Sequence, residues 1–179
     1  MNYYGVKEMS DNYLPEFCLK PILILGCGNV LFGDDGFGPA IIEHLQKNYK
    51  IPEHICLIDV GTGARKILFT LSLSEKRPGE IVVIDAVDKG RPAGEIFEIS
   101  IDEIPFEKAD DFSMHQAPTS NLLKEIKEKC NVKIRVMVCQ VAHIPEEISS
   151  GLSEPLKKAV PLLSQKISSE YFPGFMNDV

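Results

Sequence analysis

The chain has 179 residues and a formal net charge of −7, from 26 acidic against 19 basic side chains. That balance, with no basic stripe, argues against a nucleic-acid partner, and no run approaches the ~20 unbroken apolar residues of a membrane helix. With 44% apolar and 25% charged residues and no Trp, one globular domain with a core of mainly Ile, Leu and Val is expected.

Residues 1–20 mix Tyr, Asn, Glu and Lys without an apolar signal core and read as an extension that drapes over the domain or stays mobile. The run 21–27 (PILILGC) is a short apolar stretch ending in Gly and reads as a buried strand. A Gly-rich loop over 28–36 leads into a helix over 37–48, where Phe37, Ile41 and Leu45 recur at fourfold spacing and Pro39 suits a first turn. Residues 55–60 (ICLIDV) form a second strand closed by Gly61-Thr62-Gly63, and 64–73 a helix. The clearest buried strand is 80–87 (EIVVIDAV), rich in β-branched residues. Residues 94–101 (GEIFEISI) alternate with a period of two, as expected of an edge strand with one wetter face. An acidic loop over 102–114 precedes a helix over 118–130 and a strand over 133–141. Ser153 then caps a last helix with Pro155 in its first turn and Leu156, Val160, Leu163 and Ile167 along its buried stripe.

Strands alternate with helices throughout. The fold expected is therefore a three-layer α/β/α sandwich: an open, mostly parallel twisted sheet of about five strands, one edge strand antiparallel. One domain spans 21–170, with a tail at 171–179. The five Cys, at 18, 27, 56, 130 and 139, are odd in number and include no C-x-x-C pair, so neither a disulfide framework nor a Cys-rich zinc site is expected. The pattern suits a reducing cytoplasm.

Ligands of such sheets bind beyond the carboxyl ends of the strands, so chemistry is sought there. The first strand runs into Gly26-Cys27-Gly28-Asn29-Val30-Leu31-Phe32-Gly33-Asp34-Asp35-Gly36. A dinucleotide fingerprint needs Gly where Leu31 stands, and a phosphate loop needs Lys and Ser or Thr where Asp34 and Asp35 stand. Two carboxylates suit a cation or proton transfer instead, although helix capping alone also accounts for an acidic pair at a helix start. Asp85 and Asp59 each stand at or near a strand end, and Asp59 precedes a Gly-Thr-Gly turn whose backbone a bound chain could approach closely. His115 lies between the acidic loop and a helix; His44, His54 and His143 read as structural or surface residues. Asp35, Asp85 and His115 all fall at strand ends or helix starts, positions this fold gathers at one edge. Two carboxylates and an imidazole suit a borderline divalent metal with open positions. Neither a Ser nucleophile elbow nor an H-E-x-x-H helix occurs.

The loop 26–38, followed in order by Asp59-Val60-Gly61-Thr62, Ile84-Asp85-Ala86 and His115-Gln116, resembles the signature of the hydrogenase maturation endopeptidases, over about 21–167. Val60 departs from the family's Asp-Gly-Gly-Thr loop, and the wording of 59–68 is similar to the archaeal branch acting on deazaflavin-coenzyme-reducing hydrogenases. The resemblance implies removal of the C-terminal extension of a nickel-loaded hydrogenase large-subunit precursor, the transient protein partner. It implies Asp35, Asp85 and His115 as catalytic and metal-contacting residues. Asp59, Gly61, Thr62 and Asn29 would contact substrate, and the nickel would be supplied by the precursor. A non-catalytic nickel chaperone using the same residues, and a nucleotide binder using the first loop, are the alternatives.

Overall fold

The computed structural model describes residues 14–103 and 116–172. A short helix α1 (Glu16–Leu19) leads into β1 (Ile22–Cys27), α2 (Phe37–Asn48), β2 (Ile55–Gly61), α3 (Ala64–Leu73), β3 (Glu80–Val87), β4 (Ile96–Ile99), α4 (Gln116–Cys130), β5 (Lys133–Gln140) and α5 (Glu154–Tyr171). The expected boundaries of α2, α3 and β3 recur unchanged, because in each the apolar period ends at a local breaker. β4 is shorter than its alternating stretch: Gly94 and Glu95 already bond to Gln140 of β5, but the Glu95 N–H is turned back onto the Pro92 carbonyl.

The sheet runs β2-β1-β3-β5-β4, parallel except for β4 against β5. Alternation along the strands separates two cores. Ile24, Val82, Ile84, Met137 and Cys139 pack with residues of α2 and α5. Leu23, Leu25, Cys27, Ile81, Val83, Val136 and Val138 pack with residues of α3 and α4. Cys18 of α1 is buried in the second core, with Leu14 and Phe17 packed beside it, and Tyr171 and Phe172 close the first. Arg135 of β5 meets Glu98 of β4 and Glu170 of α5, fixing the far edge of the sheet.

Because β-α-β crossovers are right-handed, the β1-to-β2 connection places α2 on one face, and the return from β2 to β3 places α3 on the other. The chain therefore reverses direction between β1 and β3, and a crevice opens between their carboxyl ends. Cys27 and Gly28 border it on one side and Asp85 on the other. The β1 end and α2 approach so closely that only glycine fits. A Cβ on Gly38 would lie 2.2 Å from the Cys27 carbonyl oxygen, and one on Gly28, whose φ is +126°, would lie 1.8 Å from that of Asp35. Gly28→Ala is expected to cost at least about 2 kcal/mol, from backbone strain plus the displaced Asp35 turn. Denaturant unfolding measures it, and an unchanged midpoint would refute the contact.

Candidate active site

The turn from Gly28 to Gly36 is built on its own backbone. The Phe32 N–H donates to the Asn29 carbonyl at 3.0 Å, and the Asp35 N–H to the Phe32 carbonyl at 3.1 Å. A 3-10 turn over Gly33–Gly36 then runs into α2. Neither Asp34 nor Asp35 caps α2: the residue before that helix is Gly36, and no side chain bonds to its first turn. The capping expectation fails because the 3-10 turn carries both carboxylates away from the helix axis, and in different directions.

Asp35 turns toward the β1 end, where the Asn29 N–H donates to its Oδ2 at 2.8 Å. Asp34 points into the protein and is 1% exposed. Its carboxylate accepts the N–H groups of Ala142 (2.8 Å), His143 (3.3 Å) and Ser153 (2.7 Å) and the Ser153 hydroxyl (2.9 Å). It thus joins the first loop to the end of β5 and the start of α5. Ser153 does precede α5 as expected, but its hydroxyl donates to Asp34 and makes no capping bond within its own helix. Asp34 is the residue the sequence did not separate from its neighbour, and no local signal could have done so, since the groups that orient it lie 108 to 119 residues away.

Asp85 is partly buried at the end of β3. Burial pushes its carboxyl up to about 7; the Ala86 N–H, donating to Oδ1 at 2.8 Å, opposes this, and the nearby Asp35 charge adds to it. Cys27 lies among these acids. Burial, then Asp85, Asp59 and Asp35 in turn, hold its thiol well above the ordinary range, so it is protonated at neutral pH and is no nucleophile. The three acids therefore converge on one strand end. Asp59 is exposed, and its Oδ1 accepts the Gly61 N–H at 2.9 Å. Gly61, at φ +50°, offers its carbonyl to the Gly28 N–H at 3.0 Å, tying the β2 end to the first loop. Thr62 is exposed beside it. The Asn29 side chain is engaged inside the turn, its Oδ1 accepting the Leu31 N–H at 3.1 Å.

Among the described residues no three His, Cys, Asp or Glu side chains form a cluster able to hold a metal. His115, and all of the acidic loop 102–114 except its first two residues, lie outside the described residues. The pair Asp35 and Asp85 fits part of a cation site: both are hard oxygen donors oriented by backbone N–H groups, the kind of outer support that metal-binding carboxylates need. A groove of about 390 Å³ runs from Val30 and Asp59 along Pro39, Ala40 and Glu43 of α2 to Leu152.

The family model described as hydrogenase maturation protease matches residues 39–170. The chain is 38% identical over 157 residues to the coenzyme F420 hydrogenase subunit delta of Methanothermobacter thermautotrophicus, a match covering 83% of this chain and 93% of that protein. Among solved structures it resembles a hydrogenase 3 maturation protease (TM-score 0.67, 25% identity, 83% of this chain and 89% of the other). It also resembles the hydrogenase maturating endopeptidase HybD from E. coli (TM-score 0.65, 24% identity, 86% and 94%). Among the described residues no helix is long and apolar enough to cross a membrane. With the acid pair at the sheet's reversal point and matches of this extent, the chain belongs to the hydrogenase maturation protease family and is a peptidase.

Proposed function

We propose that this peptidase removes the C-terminal extension of a nickel-loaded hydrogenase large-subunit precursor, contacting the precursor's nickel through Asp35, Asp85 and His115. The observation that carries the reading is the pair of oriented carboxylates at the crevice between β1 and β3, one of them with its carboxyl raised to about 7. Nickel belongs to the substrate here, and when bound it supplies Lewis acidity near the scissile carbonyl. A carboxylate that contacts nickel through one oxygen keeps the other, so Asp85 is still able to take a proton from the attacking water and return it to the leaving amine. Asp59 borders the groove where the extended chain would lie, Gly61 and Thr62 follow it at the end of β2, and Asn29 shapes the turn that holds Asp35. The 38% identity to a coenzyme F420 hydrogenase subunit supports a deazaflavin-coenzyme-reducing hydrogenase as the source of the precursor.

Mass spectrometry of nickel-loaded and nickel-free precursor after incubation with the protein tests this. Loss of the extension from the loaded form alone is expected, and His115→Ala should stop it while leaving the unfolding midpoint unchanged. A precursor of unaltered mass with the wild-type protein would favour a chaperone role, and normal processing by the His115 variant would remove that residue from the site.

A further inference from the structure

Val30, Leu31, Ile144 and Ile148 are 53%, 46%, 41% and 72% exposed. They stand on two segments distant in sequence but joined as one piece. The Ser149 N–H donates to the Leu31 carbonyl at 2.9 Å and the Gly33 N–H to the Ser149 carbonyl at 2.8 Å, a short parallel bridge. Pro145 packs against Gly33, where a Cβ would meet its ring at 3.0 Å, and Asp34 fastens the base of the second segment from beneath. The result is a pre-ordered aliphatic lip. Isolated exposed aliphatics are ordinary, but a rigid group of four beside a catalytic crevice marks an interaction surface.

The lip is continuous with the candidate active site. Val30 lies over Gly36, immediately after Asp35, and also lines the groove that reaches Asp59. Leu31 is bonded to Asn29, whose N–H holds the Asp35 carboxylate. A body whose cleavage site occupies the crevice would extend over the lip, whose first-loop half adjoins the Asp35 turn. Glu146 and Glu147 stand exposed between Ile144 and Ile148, so the complementary surface is apolar with a basic border.

We infer that Val30, Leu31, Ile144 and Ile148 form the docking surface for the folded body of the hydrogenase large-subunit precursor, an inference that rests on the endopeptidase reading above. Because both segments are already ordered by internal bonds, little conformational entropy is lost on contact. Ile148→Asp and Ile148→Lys each place a charge on the lip at a position outside the turn that holds Asp35, without touching Asp85 or the core. Each should weaken binding of nickel-loaded precursor at least tenfold and raise KM in proportion. The kcat at saturation and the unfolding midpoint should stay at wild-type values. Leu162→Asp, an equally exposed aliphatic on α5, should match wild type in all four measurements. Lip variants that bind the precursor as tightly as wild type overturn the docking surface, whether or not cleavage occurs. If wild type binds but does not cleave, and the lip variants lose binding, the docking surface stands and the endopeptidase reading falls. If wild type does not bind the precursor, both fall.

Discussion

Asp85→Asn is expected to reduce precursor cleavage by at least about a hundredfold while making the free protein more stable at neutral pH. The first effect follows from the proposed proton-transfer role, since general acid–base catalysis contributes about 10²- to 10⁴-fold. The second follows from the raised carboxyl. In the unfolded chain an Asp releases its proton near pH 4, whereas in the fold burial holds that of Asp85 up to about 7. Below pH 4 both states are protonated and the residue leaves stability unchanged. Between pH 4 and 7 the unfolded chain has lost a proton that the folded chain keeps, so stability falls as pH rises, and above 7 the penalty stays constant. Asn carries no such proton and can still accept the Ala86 N–H. The variant's advantage should therefore grow from nothing near pH 4 to about 2 kcal/mol above pH 7, allowing for the partial exposure of the side chain. Unfolding midpoints at pH 4.5 and 8 measure it. An advantage equal at both values would show that the Asp85 carboxyl is not raised, and retained cleavage would remove it from the chemistry.

The opposite behaviour is expected one residue before the other site acid. Asp34→Ala should cost about 3–5 kcal/mol, because three backbone N–H groups and one hydroxyl lose a buried acceptor. For a domain of this size each kcal/mol moves the thermal midpoint by roughly 2–4 °C, so the midpoint should drop by about 6 °C or more. Ser153→Ala removes only one of the four bonds and should cost about 1 kcal/mol. A midpoint for Asp34→Ala within about 1 °C of wild type would show that the carboxylate does not hold the 142–153 segment. Cleavage by Asp34→Ala should also fall, through the loosened lip and first loop, and should be recovered in part by Asp34→Asn, which keeps an acceptor for at least one of the backbone donors. Asp34 is thus a structural clamp, while Asp35, its chemically identical neighbour, is the one proposed to serve the site.

That pair marks the boundary of what could be read without coordinates. The amphipathic period of 37–48, the β-branched run of 80–87 and the breakers between them are local, and local propensity and pattern act within a few residues, so the elements and the α/β layering were legible along the chain. So was the family, since its motifs are linear strings, and so were the positions of Asp59 and Asp85 at or near strand ends and of Asp35 just before a helix. The placement of His115 rested on the motif alone.

The chain by itself therefore determined the alternation of strands and helices, the parallel sheet with an antiparallel edge, and the acids available for chemistry. Tertiary structure decided the β2-β1-β3-β5-β4 order, which puts the reversal crevice between Cys27 and Asp85. It also decided which of two adjacent acids faces the crevice and which the interior. The reason is range: Asp34 is oriented by partners 108 to 119 residues away, and Asp85 acquires its raised carboxyl from burial and from Asp35. Contacts of that separation exist only once the sheet has closed its layers, and no local pattern encodes them.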